Sequence, residues 1–244
     1  MQIHVVLVRT KYSGNIGRTA RAMANMGAQR LILIDPQCEV LNEESRKAAA
    51  GAQEQLKNHV VYQSWEDFYQ SEGEGVRVAL SARKGKRRKA LSLEEAGRII
   101  ESKNTIRSHF YFIFGPEDHG LSSDDLSFCN FCCSLPVYGK FSSYNLSQAV
   151  LLCLFLVRSS WSFLKERSGK EKPLKPLSFP DESIKEWLEE IGFDLSARRS
   201  SAYLTVRRLL LENIPTPHEL MVLEAILHQN IRKLREYKGK LKNL

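Results

Sequence analysis

An α/β fold with a mostly parallel sheet is what this sequence predicts, and two patterns predict it. Short, continuously apolar runs such as Ile3–Val8, Leu31–Ile34 and Phe110–Phe114 read as strands covered on both faces. They alternate with stretches of helical spacing, and several empty into short polar loops, as chained βαβ units do.

Taken in order, Ile3–Val8 is the first strand and Arg9–Gly14 a polar loop. Ile16, Ala20, Met23 and Met26 share a helical face, with Asn15 expected as N-cap and Gly27 in the stop position. Leu31–Ile34 follows as a strand, closed by Asp35-Pro36. One small-residue helix is expected from about Glu43 to Leu56, then a short strand at Val60–Tyr62, a helix over Trp65–Tyr69 and a strand at Val76–Leu80. That strand runs into Ser81-Ala82 and a basic loop of Arg83, Lys84, Lys86, Arg87, Arg88 and Lys89. A helix is expected over Ser92–Ser102, and the strongest strand, Phe110–Phe114, stops at Gly115-Pro116-Glu117-Asp118-His119-Gly120-Leu121-Ser122. A short helix at Ser123–Leu126 and a strand at Cys132–Val137 lead to Phe141-Ser142-Ser143-Tyr144. Asn145, followed three places later by Gln148, reads as an N-cap with its capping-box partner. The helix it opens is expected from Leu146 to about Leu164 and is apolar on nearly every side in its first three turns. That predicts full burial, in the core or a subunit interface.

Composition changes past Trp161. Residues 1–164 are expected to form the main domain, 165–180 a linker and 181–244 a helical extension. In the extension Ile184, Trp187, Leu188 and Ile191 share one face, a second helix spans Ala202–Leu211, and Thr216-Pro217-His218-Glu219 is a capping box. It opens a third helix with Leu220, Leu223, Ile226, Leu227, Ile231 and Leu234 on its apolar side.

The chain has 244 residues, 43% of them hydrophobic, enough for a full core. A net charge of +8 points to a polyanionic partner without identifying it. Five cysteines, an odd number, argue against a secreted disulfide framework. Met1 leads directly into a strand pattern, and the longest apolar run, Ala149–Val157, is too short to span a bilayer, so a cytoplasmic protein without a membrane partner is expected. Cys129-x-x-Cys132-Cys133 lacks a second ligand pair at suitable spacing; buried thiols, and no metal, are expected there.

Three polar loops that follow apolar strands carry the chemistry: Gly14-Asn15-Ile16-Gly17 with Arg18 and Arg21, Gly115–Ser122, and Ser142–Asn145. Loops at the carboxyl ends of neighbouring parallel strands converge on one site. From the residues alone, Ser142–Asn145 either holds a small polar ligand at a helix N-terminus or simply turns and caps the chain. Neither G-x-G-x-x-G nor G-x-x-x-x-G-K-S/T is present, which removes most support for a dinucleotide-dependent oxidoreductase or a P-loop enzyme.

The stretches Gly14–Met23, Phe114–Ser122 and Ser142–Ser147 resemble, in order and spacing, the three motifs of the SpoU/TrmH family of SPOUT methyltransferases. The resemblance extends through Ala50-Gly51-Ala52 and Ser81-Ala82-Arg83, and the helical extension resembles the TrmJ branch, whose members 2'-O-methylate nucleotide 32 of tRNA anticodon loops. It implies a deep C-terminal trefoil knot, a homodimer, S-adenosylmethionine as cofactor and tRNA or rRNA as substrate.

The cofactor would be held mainly by backbone at Leu80, Ser81 and Ala82, at Gly115, and at Leu135, Ser142, Ser143, Tyr144 and Leu146. The implied catalytic residues are Asn15, Arg21, Glu117, Ser143 and Asn145. Tyr144 departs from the leucine common in relatives. The family's arginine is usually proposed as the base that removes the ribose 2'-hydroxyl proton. A guanidinium is a poor proton acceptor, so the role expected for Arg21 is to clamp phosphate and steady the developing alkoxide. Arg18 and the basic loop would touch RNA phosphates, contacts that position RNA without reading its sequence. His119 is assigned no role. The competing readings are a different tRNA position, rRNA, or a fold retained as an RNA-binding module without catalysis.

Overall fold

The computed structural model describes residues 1–82, 90–103, 109–141, 143–161, 178–195 and 201–242. In chain order the elements are β1 (Gln2–Val8), α1 (Ser13–Met26), β2 (Arg30–Ile34), α2 (Glu43–Ala49), α3 (Gln53–Lys57), β3 (Val60–Tyr62), α4 (Trp65–Glu72), β4 (Val76–Leu80) and α5 (Leu93–Ser102). They continue with β5 (His109–Phe114), α6 (Ser123–Ser127), β6 (Phe131–Cys133), α7 (Leu146–Ser160), α8 (Asp181–Glu190), α9 (Ser201–Glu212) and α10 (Pro217–Lys242). The strands form one sheet in the order β3-β2-β1-β5-β4-β6, and every pairing is parallel, as expected.

The chain winds outward from β1 to β3, crosses to β4, returns with β5 between β1 and β4, and ends at β6. The order therefore reverses between β1 and β5, the kind of switch point where open α/β sheets place their ligands. Alternate strand residues face opposite layers. Ile3, Val5, Leu7, Phe110, Phe112 and Phe114 pack with Ile16, Ala20 and Met23 of α1 and with Val150, Leu154 and Val157 of α7. Val6, Val8, Tyr111 and Ile113 pack with Trp65, Phe68 and Tyr69 of α4 on the other side.

Two glycines set the helix spacing. A Cβ on Gly17 would sit 2.1 Å from the Ser45 carbonyl oxygen, so α1 and α2 touch through backbone. One on Gly97 would sit 2.5 Å from Nε1 of Trp161, whose indole donates to the Leu93 carbonyl oxygen at 2.8 Å.

Several sequence expectations need correction. The helix expected from Glu43 to Leu56 is two, broken at Ala50, whose φ of 49° lies outside the right-handed helical region. α1 begins at Ser13 with Tyr12 in the N-cap position, so Asn15 lies within the first turn and does not cap. β6 stops at Cys133, short of the expected Val137. Asn145 does cap α7, but it accepts from the backbone N–H of Ser147 with no capping box to Gln148. Within the single chain α7 is covered on one side, at Val150, Cys153, Leu154 and Val157, while Phe155 is 56% and Leu151 39% exposed, so the expected alternative of a subunit interface stays open for that side. Ile226 of α10, expected on the buried side, is 58% exposed.

The end of β6 is flanked on both sides by the two ends of one earlier segment. Leu80 pairs with Cys133 and the Ser81 N–H donates to the Cys133 carbonyl at 2.9 Å. Leu91 bridges Cys133 from the opposite flank, donating to the Cys132 carbonyl and accepting from the Ser134 N–H, both at 2.9 Å.

The C-terminal helices dock on the α4/α6 layer. Leu220 joins its core, and Asn130 Nδ2 donates to the Leu211 carbonyl at 2.7 Å. Buried Arg207 of α9 lies over the Phe128 ring at 4.0 Å and pairs with Asp181 at 2.7 Å, while Tyr203 also donates to Asp181 at 2.6 Å. Asp181→Ala leaves this buried guanidinium without its carboxylate, at a cost of about 3 kcal/mol. Hydrogen exchange is expected to quicken in α8 and α9 while protection in β1 and β5 is kept.

Candidate active site

The carboxyl ends of β1 and β5 are neighbours at the switch point, and the loops they feed are joined side chain to side chain. Thr10 Oγ1 and Asn15 Nδ2 donate to the same oxygen of Glu117, Oε1, at 2.9 and 2.8 Å, and the Lys11 backbone N–H donates to Oε2 at 3.2 Å. The third loop joins through Asn145, whose Nδ2 donates to Asn15 Oδ1 at 3.2 Å. Asn145 Oδ1 in turn accepts from the Ser147 N–H at 3.1 Å and from its hydroxyl at 2.7 Å. Three of the five expected catalytic residues, Asn15, Glu117 and Asn145, thus form one hydrogen-bonded chain.

Arg18 reaches the same chain, its Nη1 lying 3.4 Å from Asn15 Oδ1. Arg21 lies one further turn along α1, exposed, with no hydrogen bond or ion pair among the described residues. Asn15, Arg18 and Arg21 therefore step along one side of the helix at intervals of three. Ser143 is exposed two residues before the cap.

The residues expected to hold a cofactor gather at the carboxyl edge formed by β5, β4 and β6. Leu80 ends β4, Gly115 follows β5, Leu135 follows β6, and Leu146 opens α7. Leu80 and Leu146 are buried and Leu135 half-buried, which gives the edge apolar walls. The backbone N–H groups of Leu135, Ser143, Tyr144 and Leu146 make no hydrogen bond among the described residues. Tyr144 donates its hydroxyl to the Pro136 carbonyl at 2.7 Å, bracing the loop against the chain that leaves β6. Ser81 is half-buried and Ala82 exposed. Gly115 must be glycine: a Cβ there would lie 2.2 Å from the Leu121 backbone nitrogen. Ser142 and the basic loop of Arg83, Lys84, Lys86, Arg87, Arg88 and Lys89 lie outside the described residues.

Sequence reasoning missed the residues that hold the first two loops together. Arg9, at a φ of 47°, donates to Asp125, which also accepts from Trp65 Nε1 at 2.9 Å and from the Ser122 N–H and hydroxyl at 2.8 and 2.7 Å. Burial pushes the Asp125 carboxyl up, but these donors outweigh it and hold the group below the usual carboxylate range. Lys11 pairs with Asp118 at 2.5 Å, and that hydrogen bond lowers the acid and raises the amine. The Ser122-x-x-Asp125 spacing announces a capping box but gives no hint of the arginine and tryptophan that share its acid. Among the described residues His119, exposed, is engaged only with Asp118, Nδ1 to Oδ1 at 2.6 Å. Cys129, Cys132 and Cys133 are buried, and among the described residues no group of three or more His, Cys, Asp or Glu is placed to hold a metal ion.

Comparison with known proteins finds relatives of the chain in both sequence and structure. The family model for the SpoU rRNA Methylase family matches residues 2–155. The tRNA (cytidine/uridine-2'-O-)-methyltransferase TrmJ of Sodalis glossinidius is 30% identical over 235 residues, covering 92% of this chain and 89% of the relative. The crystal structure of TrmJ from Z. mobilis ZM4 superposes with a TM-score of 0.74 at 27% identity, covering 94% and 99% of the two chains. A structure described as giving insights into the 2-OH methylation of C/U34 on tRNA superposes at 0.53 and 26% identity, over 65% of this chain and 90% of that one.

Proposed function

This chain belongs to the SpoU rRNA Methylase family, and from that premise we propose that it is an S-adenosylmethionine-dependent tRNA 2'-O-methyltransferase acting on the ribose of cytidine or uridine at nucleotide 32. The observation that carries this reading is the hydrogen-bonded chain of Glu117, Asn15 and Asn145, drawn from three loops at the switch point of a parallel sheet. A chain that kept the fold without the chemistry has no need of that convergence. The TrmJ relatives, matched over nine-tenths of the sequence, support tRNA and a pyrimidine nucleotide.

The residues fit the cofactor. A ligand with an adenine and an amino-acid moiety needs backbone donors beside apolar walls, which the N–H groups of Leu135, Ser143, Tyr144 and Leu146 and the side chains of Leu80, Leu135 and Leu146 provide. When bound, S-adenosylmethionine supplies a methyl group already activated on a sulfonium. The protein's part is to align the 2'-hydroxyl and stabilise the oxygen as its proton leaves. Asn15, Asn145 and Ser143 border that position, and Arg21 clamps the adjoining phosphate.

Mapping ribose methyls in cellular tRNA and rRNA with and without the protein tests this. Loss of the methyl at position 32 of tRNA is expected; loss at position 34 or in rRNA moves the substrate within the class, and no loss anywhere refutes the enzyme.

Leu151 and Phe155 leave an apolar strip of α7 exposed in the single chain, which a second copy would cover to form a homodimer. Phe155→Glu is expected to shift the protein from dimer to monomer in sedimentation velocity. The flanking of Cys133 by Ser81 and Leu91 supports the trefoil knot, because chain leaving β6 toward α7 passes between the ends of one loop. Residues 1–164 would carry the chemistry and 181–244 would add RNA contacts, joined by 165–180. Among the described residues no helix is long and apolar enough to cross a membrane, and a tRNA substrate suits the cytoplasm. In the basic loop, Arg87→Gln with Arg88→Gln is expected to flatten the slope of log affinity against log salt by about 0.7–0.9 for each phosphate no longer neutralised, equally for all RNAs.

A further inference from the structure

We propose that Glu117 is a positioning residue that sets the direction of a hydrogen-bond relay running from the N-terminus of α7 through Asn145 and Asn15, and that it does not receive the proton of the reacting hydroxyl. This rests on the function proposed above.

The direction follows from what each end of the relay can do. A backbone N–H can only donate, so Ser147 forces the amide oxygen of Asn145 toward it. An ionised carboxylate can only accept, so Glu117 forces the Nδ2 of Asn15 toward it. Between these ends Asn145 Nδ2 meets Asn15 Oδ1, the one pairing both constraints allow. Every donation therefore runs the same way, from α7 toward Glu117. Turning over the Asn15 amide would set an oxygen against the carboxylate and an NH2 against both Asn145 Nδ2 and the Arg18 guanidinium. Turning over Asn145 would oppose its NH2 to the Ser147 N–H.

Glu117 is committed to this task. Oε1 already takes donors from Thr10 and Asn15 and Oε2 takes the Lys11 N–H, which fills three of about four lone-pair positions of a carboxylate. Thr10 is fully buried and was not among the expected site residues. Its hydroxyl and the Lys11 N–H hold the carboxylate from the β1 side, so the relay has a fixed end. The amide faces that Asn15 and Asn145 turn toward the 2'-hydroxyl are thus determined by an acid that need not touch it.

A charge swap tests this. In Glu117→Gln the amide can satisfy Lys11 with its oxygen only by turning an NH2 toward Asn15, donor against donor. Asn15→Asp alone sets two carboxylates together. The pair E117Q/N15D restores a single direction, since the carboxylate introduced in α1 would accept from the new glutamine, from Asn145 and from Arg18. Each single change is expected to slow single-turnover methylation of tRNA about a hundredfold with little change in tRNA affinity, as small misplacements of reacting groups do, and the pair to regain at least about tenfold. The unfolding temperature should trace the same cycle, falling in each single variant and recovering in the pair, and it is readable whether or not methyl transfer occurs. A pair no faster and no more stable than the worse single variant overturns the relay. So does a Glu117→Gln enzyme as fast as the wild type. A wild-type protein that methylates no RNA counts against the proposed function instead, and the thermal cycle then decides the relay alone.

Discussion

Arg21→Lys is expected to lower the single-turnover rate of tRNA methylation by about a hundredfold to a thousandfold, the range seen when one preorganised donor to a developing oxyanion is lost. Affinity for tRNA should stay within about threefold, because lysine keeps the charge that phosphate attracts. What lysine lacks is the rigid fork that can hold a phosphate oxygen and the ribose oxygen together. The structure leaves Arg21 exposed and without an ion-pair partner among the described residues, one turn beyond Arg18, so its guanidinium is available to a ligand. The measurement is rapid-quench methyl transfer at saturating enzyme, beside filter binding of the same tRNA. Retained turnover would remove Arg21 from the site; equal losses in rate and affinity would reduce it to a general RNA contact.

Gly17→Ala is expected to destabilise the fold strongly for so small a change. Helix propensity alone favours alanine by about 1 kcal/mol. The added carbon would stand 2.1 Å from the Ser45 carbonyl oxygen and 2.9 Å from the backbone nitrogen of Ala49, and backbone cannot swing aside as a side-chain tip can. Overpacking of this kind costs typically about 1–3 kcal/mol, and this contact belongs at the upper end. Even after the propensity gain the unfolding temperature should drop by about 4–8 °C, at roughly 2–4 °C for each kcal/mol in a chain of this size. Gly51→Ala is the control: a Cβ there meets nothing within 4 Å, and little change is expected. An unchanged melting point in Gly17→Ala would mean that α1 and α2 slide apart easily. Asn15, Arg18 and Arg21 would then ride on a looser helix than the structure implies.

Most of the sheet was legible because its strands are apolar runs whose length and β-branched content leave few alternatives. Gly27 was readable as a stop, and it adopts the left-handed conformation at the end of α1 with φ 65°. Asn15 was misread as a cap because an asparagine that caps a helix and one in its first turn look alike in sequence. Only the carboxylate that Glu117 brings from a distant part of the chain distinguishes them. The residues that resemble the family's motifs located the site, yet they could not show how its parts are tied. Thr10, Arg9 and Asp125 act through partners distant in sequence and at a backbone angle no pattern announces. α7 illustrates a different limit. A helix apolar on most sides must be covered, but periodicity does not say whether by its own chain or by another, and Leu151 and Phe155 are left exposed here.

The placement of Cys133 has a consequence for the order in which the protein can be made. β6 finds one neighbour in Leu80 and Ser81 and the other in Leu91, and all three precede it in the chain. A ribosome delivering residues from the N-terminus sets out both flanks before the strand that lies between them exists, while α7 and everything beyond are still unsynthesised. During vectorial synthesis the strand thus emerges, still tethered to the ribosome, after both of its flanks are available. A full-length chain refolding from denaturant must instead bring the same strand into place with all of α7 and the C-terminal helices trailing behind it.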